Sequence, residues 1–101
     1  MKIEMLMDRQ ATISTPLTHP CYPGHFPGNP MVPGVVLLDL IVSELSRGPP
    51  RVIGSVKFHR TVKPGEGFVL HWKSAGPQVK FRCERDAVLL IEGSLAFGAA
   101  E

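Results

Sequence analysis

The chain has 101 residues, the length of one small domain, and we treat residues 1–101 as a single unit. Its content of 44% hydrophobic and 20% charged residues is ordinary for a globular protein. A net charge of +2 does not suggest a nucleic-acid partner, and no apolar run approaches the ~18 residues of a membrane span.

The N-terminal residues lack the apolar core of a secretory signal, so we expect a cytoplasmic protein. Cys21 and Cys83 are then expected to be reduced thiols rather than a disulfide. Apolar and polar residues alternate from Lys2 to Leu17, which predicts an extended segment. The pattern leaves open whether residues 8–10 form a turn or continue one long strand.

Residues 24–34 read Gly-His-Phe-Pro-Gly-Asn-Pro-Met-Val-Pro-Gly, which predicts neither a helix nor a regular strand. The three prolines fix backbone angles, so this loop can hold His25 in one place. His19, Cys21 and His25 lie close enough in sequence to suggest zinc. No Cys-x-x-Cys or His-x-x-x-His pair accompanies them, so we predict neither a metal nor another cofactor.

A helix is predicted from Pro33-Gly34 to about Arg47, where Gly48-Pro49-Pro50 ends it. In residues 35–42 seven of eight positions are apolar, and the exception is Asp39. We therefore expect a buried core helix that carries one acid of functional importance. The alternative is that Asp39 lies on a solvent-facing stripe.

From Arg51 onward the pattern predicts strands over residues 51–62, 67–74, 78–84 and 87–97, separated by turns. Alternation in the first of these places Val52, Gly54, Val56 and Phe58 on one face. The long apolar run 87–97 favours an interior strand. One helix with several antiparallel strands predicts an α+β fold in which the sheet wraps the helix.

The loop and the acid together resemble the active-site motif of the 3-hydroxyacyl-acyl-carrier-protein dehydratases, the FabZ/FabA-like hotdog enzymes. The family pattern G-H-F-P-G-x-P-x-x-P-G is present in full from Gly24 to Gly34, and Asp39 follows His25 by fourteen residues, as the family's acid does. Aspartate is the FabA-type acid. Ser43 stands where FabZ has glutamine. The short chain is similar to dehydratases of aryl-polyene and pigment clusters, and a minimal hotdog domain is expected.

The resemblance implies a role for each matching residue. His25 would remove the α-proton of a 3-hydroxyacyl thioester, and Asp39 would donate a proton to the departing hydroxyl, directly or through a water. The N–H of Gly34 would stabilise charge on the thioester oxygen. Phe26 and Val35 are expected to contact the substrate. The product would be the trans-2-enoyl thioester, made in fatty-acid, polyketide or aryl-polyene synthesis.

The family pairs two subunits into a continuous sheet and takes the histidine and the acid of one site from different chains. This resemblance implies a homodimer, or a higher oligomer built from dimers, that acts on a substrate bound to acyl carrier protein or to CoA. A hotdog thioesterase and a non-catalytic, carrier-binding partner of another dehydratase are the alternatives. A basic group is a candidate dock for the acidic carrier: Arg47, Arg51, Lys57, Arg60 and Lys63.

Overall fold

One helix and five strands make up the part of the chain that the computed structural model describes, residues 9–19 and 31–98. The elements in chain order are β1 (Arg9–Ser14), α1 (Gly34–Leu45), β2 (Val52–Phe58), β3 (Gly67–Ala75), β4 (Gln78–Arg85) and β5 (Val88–Ala96). The strands form one antiparallel sheet in the order β1-β3-β4-β5-β2. The predicted α+β class is confirmed.

The hydrophobic core lies between α1 and one face of the sheet. The helix contributes four side chains spaced so that they share one side, Val36, Leu37, Ile41 and Leu45. Alternate residues of the strands complete the core, as the period of two along a strand requires. The buried strand and loop residues are Ile13, Val32, Val62, Phe68, Leu70, Val79, Phe81, Cys83, Leu90, Ile91, Leu95 and Phe97.

The strand predictions from Gly67 onward are confirmed. Val79, Phe81 and Cys83 are buried, as the alternation in β4 predicts, and β5 is an interior strand between β4 and β2. Two-residue turns join these strands. Gly76 in the first turn has a positive φ of 62°, which glycine adopts without a steric penalty.

The helix begins where the sequence predicts but ends two residues earlier than expected. Ser46 is left-handed, with φ 57° and ψ 36°, and its N–H donates to the oxygen of Ser43. Arg47 lies beyond this cap. Its guanidinium donates to the oxygen of Gly76 at 3.2 Å and lies 5.1 Å from the centre of the Phe97 ring. Arg47 therefore ties the helix end to the sheet.

The predicted face of β2 is wrong in its first half because the strand contains a β-bulge. Ile53 pairs with Leu95, Val56 with Gly93 and Phe58 with Ile91, with the register shift between Ile53 and Val56. Leu95 and Ile91 face the core, so their partners face the helix side as well. The extra residue places Ile53 on the same face as Val56 and Phe58.

In the described ranges, no helix is long and apolar enough to cross a bilayer. The cytoplasmic location stays a prediction. Cys83 is a free thiol in the core, and burial raises its pKa to about 12, so it remains protonated and unreactive at neutral pH. Cys21 lies outside the described residues.

Candidate active site

The first turn of α1 is open at its N-terminus. Pro33 is the N-cap in extended conformation, and its carbonyl accepts hydrogen bonds from Val36 at 3.0 Å and Leu37 at 3.1 Å. The N–H groups of Gly34 and Val35 precede these bonds and lie at the positive end of the helix dipole. The expected donor, Gly34, therefore occupies the position from which a backbone amide can stabilise a developing oxyanion.

A pocket of about 220 Å³ lies beside this turn. Val32 and Leu37 give it a buried apolar base, and Arg60 and Thr61 add polar atoms. Its lining residues are Met31, Val32, Pro33, Gly34, Leu37, Phe58, Arg60 and Thr61. The pocket thus combines an apolar surface with a helix N-terminus, which suits an acyl thioester.

The turn after β2 fixes the segment that leads into the helix. The N–H of Val32 donates to the oxygen of Val62 at 2.7 Å, and this bond joins the approach to α1 to the turn 63–66. Gly65 has φ 87°, and the N–H of Glu66 donates to the oxygen of Lys63 at 3.0 Å, which closes the turn. The sequence predicts this turn, but not its contact with the helix entry.

Side chains hold the same turn on two sides. The hydroxyl of the buried Thr15 donates to the oxygen of Glu66 at 2.6 Å, so β1 is tied to it. The carboxylate of Glu66 accepts from the N–H of Lys63 at 3.0 Å and lies 2.7 Å from a guanidinium nitrogen of Arg85. The Lys63 amide, and then Arg85, hold the pKa of Glu66 below its usual value of 4.5.

Asp39 lies on the side of α1 that faces away from the core. Its side chain is exposed, as is that of Ser43 one turn later, and Val35 one turn earlier is 61% exposed. The expectation of a fully buried helix around Asp39 is therefore wrong for the single chain. An ordinary solvent-facing stripe of a helix is polar. Here the exposed Val35 adds apolar surface beside Asp39 that the described part of the single chain leaves uncovered.

His25 and Phe26 lie outside the described residues. Their expected roles as base and substrate contact stay predictions. Of the five candidate residues, the structure places Gly34, Val35 and Asp39, all on α1. Phe58 was not among them. Alternation along residues 51–62 identified Phe58 only as one of several strand residues, and its contact with the helix comes from the tertiary structure.

The edge strand β2 exposes apolar side chains on the helix side of the sheet. Ile53 is 53% exposed and Phe58 is 49% exposed, so about half of each side chain is left uncovered in the single chain. The outer edge of β2 pairs with no other strand of the described sheet. A hydrophobic, unpaired edge is a surface on which a second chain can add a strand.

The five cations predicted as one basic patch occupy separate surfaces. Arg47 and Arg51 lie at the start of β2, and Arg60 and Lys63 follow its far end. The strand has seven residues, which corresponds to roughly 20 Å. Lys57 is opposite Glu92, on the face away from the helix. Only Arg60 lines the pocket beside Gly34.

Within residues 9–19 and 31–98, no group of three or more His, Cys, Asp or Glu side chains is placed to hold a metal ion. The outer sheet face does carry His–Glu contacts. His59 and Glu92 are 2.9 Å apart, and His71 and Glu84 are 3.6 Å apart. These pairs lie at the surface and connect neighbouring strands.

Two solved structures share this architecture. An uncharacterized protein from Erwinia carotovora subsp. atroseptica superposes with a TM-score of 0.70 at 22% identity, covering 89% of this chain and 82% of that one. The dehydratase heterocomplex ApeI:P from Xenorhabdus doucetiae gives 0.69 at 25% identity, covering 86% and 85%. The fold is that of the hotdog dehydratases, as the motif resemblance implied.

The family follows from the sequence comparison. A family model described as ApeI-like, ApeI dehydratase, matches residues 5–94, and the chain belongs to this family. The 3-hydroxyacyl-[acyl-carrier-protein] dehydratase FabZ of Brucella ovis is 34% identical over 98 aligned positions, which cover 79% of this chain. The match spans 62% of that relative's length, so the chain corresponds to somewhat less than two thirds of it.

Proposed function

We propose that the protein is a dehydratase that converts a 3-hydroxyacyl thioester to the trans-2-enoyl thioester. The FabZ relatives and the ApeI-like family support this reaction. The observation that carries the proposal is the exposure of Asp39 beside the exposed Val35 in a single chain. If two chains share the active site, the acid of one chain must be exposed in that chain so that the other chain can reach it.

The reaction needs a base, an oxyanion donor and an acid. His25 takes the proton from C2, and negative charge develops on the thioester oxygen, where the N–H of Gly34 stabilises it. The electron pair then forms the C2–C3 double bond as the C3–O bond breaks. Asp39 supplies the proton with which the hydroxyl leaves as water. C2 is oxidised and C3 is reduced by the same amount, so the reaction has no net redox change and needs no redox cofactor.

An absorbance assay tests the reaction directly. Dehydration creates a double bond conjugated with the thioester carbonyl, and its ultraviolet absorbance rises as product forms. A saturated 3-hydroxyacyl thioester of pantetheine or of the carrier protein serves as the substrate. Release of a free thiol without this absorbance would instead identify a thioesterase. Absence of both signals in the assembled protein would contradict the proposal.

The unpaired edge of β2 supports a homodimer in which two sheets join edge to edge. Ile53 would then pack against the partner rather than face water, which would reduce the exposed apolar surface. Ile53→Lys should give a monomer by light scattering, because it places a charge on that surface. Val52→Lys is the matched control. Val52 is 58% exposed, similar to Ile53, but its side chain lies on the sheet face away from the helix.

This assembly test bears on activity as well. A monomer produced by Ile53→Lys should lose dehydration, because Asp39 of one chain would no longer meet His25 of another. A monomer with full activity would contradict the shared site. Loss of the dimer with both lysine variants would show that the edge is sensitive to charge in general, and would contradict the face-specific contact.

A second candidate is that this chain is one half of a two-chain dehydratase. The solved ApeI:P structure is described as a heterocomplex, and that description favours this alternative. The same edge of β2 would then receive a different hotdog chain. Purified alone, the protein would be a monomer without activity, and adding the second chain would restore both assembly and dehydration. A stable, active homodimer would rule this alternative out.

The substrate's carrier would be recognised near Arg60 rather than by a single basic patch. Arg60 is exposed and lines the pocket beside Gly34, whereas Arg51 lies at the opposite end of β2. Arg60→Glu should raise KM for a carrier-bound substrate at low salt, with a smaller effect on a pantetheine substrate. Arg51→Glu is the control with the same charge change. Equal effects of both variants would contradict a local dock.

A further inference from the structure

The ring of Phe58 lies directly against Gly34, the first residue of the helix. A Cβ atom built on Gly34 would be 3.1 Å from Cζ of Phe58, 3.3 Å from Cε1 and 3.4 Å from Cε2. The first two of these distances are shorter than ordinary van der Waals contact, so the tip of the ring would have to move by a few tenths of an ångström to admit a methyl group at position 34. Gly34 and Phe58 fit each other as a pair.

The side chain that makes this contact is half exposed. Phe58 is the last residue of the edge strand, opposite the buried Ile91, and 49% of it remains exposed. Its exposed surface forms part of the same pocket as Gly34 and Leu37. The ring thus touches the helix N-terminus on one side and bounds the pocket on the other.

We infer that Phe58 is a positioning residue that sets how a thioester approaches the N–H of Gly34. This inference rests on the proposed dehydration. The ring fixes the first helical turn from one side and limits the directions from which a carbonyl oxygen can reach the amide. Since a misplacement of ~1 Å can cost on the order of 10²-fold in rate, a small shift of this turn should lower kcat.

A double-mutant cycle tests the inference. Phe58→Leu should lower kcat about 10-fold with little change in KM, because the amide acts mainly in the transition state. Gly34→Ala should also lower kcat, since its methyl group displaces the ring. The double variant should be more active than Gly34→Ala alone, because the smaller leucine leaves room for the methyl group. Val52→Ala is the control and should leave kcat unchanged.

Thermal unfolding of the same four proteins gives a readout that does not depend on activity. Gly34→Ala should lower Tm more with Phe58 present than with leucine there. Additive changes in both kcat and Tm would overturn the inference while leaving the dehydratase proposal standing. A drop in Tm without any change in kcat would overturn it too, since Phe58 would be a packing residue only. An assembled wild-type protein without dehydratase activity would overturn the proposed function and this inference with it.

Discussion

The exposure of Asp39 leads to a prediction that separates catalysis from stability. Asp39→Asn keeps the size of the side chain and removes its transferable proton. Loss of a positioned acid–base group costs on the order of 10²–10⁴ in rate, so kcat should fall within that range. KM should change little, because the missing proton transfer belongs to the transition state.

The structure predicts a small effect of the same variant on folding. Asp39 is exposed in the middle of a helix, and surface substitutions of this kind are usually within about 0.5 kcal/mol. Asparagine and aspartate also have similar helix propensities. For a domain of about 100 residues, 0.5 kcal/mol corresponds to roughly 2–4 °C in Tm.

Both quantities are measured on one protein preparation, by the absorbance assay and by thermal unfolding. Glu44→Gln is the matched control, because it makes the same chemical change at another exposed position of α1. It should leave kcat and Tm unchanged. If Asp39→Asn unfolds the protein, or if its kcat stays within threefold of the wild type, the assignment of Asp39 as the acid is wrong.

Three further predictions address the base, the helix entry and the core. His25→Ala should abolish dehydration, and recovery of activity with added imidazole would identify the lost base; undiminished activity would contradict the motif assignment. Glu66→Gln should lower Tm at pH 7. The lowered pKa of Glu66 makes its ionised form stabilising above pH 4.5, so the difference should vanish as the pH falls through the folded-state value. Ile41→Ala removes a fully buried side chain and should cost about 2–5 kcal/mol by chemical denaturation, and a smaller loss would mean that the core collapses around the site.

The local sequence determined most of the secondary structure. Pro33-Gly34 starts the helix and Gly48-Pro49-Pro50 follows its end. Proline and glycine restrict or free the backbone angles at their own positions, so their effect does not depend on tertiary contacts. The alternation in β4 identified its buried face for the same reason, since side chains of a strand point to alternate sides whatever lies around them. The motif at 24–34 also identified the family without any knowledge of contacts.

The tertiary structure decided what the pattern could not. The bulge in β2 depends on pairing with β5, far along the chain, and it moved Ile53 to the face that alternation assigned to its neighbours. The apolar residues around Asp39 predicted burial, yet one small chain has too little sheet to cover every side of its helix. The contact of Phe58 with Gly34 joins residues that are distant in sequence. Hydrophobic periodicity within a helix or a strand cannot predict a contact of this kind. Local patterns fix which side of an element is apolar, whereas the three-dimensional packing decides what, if anything, covers it.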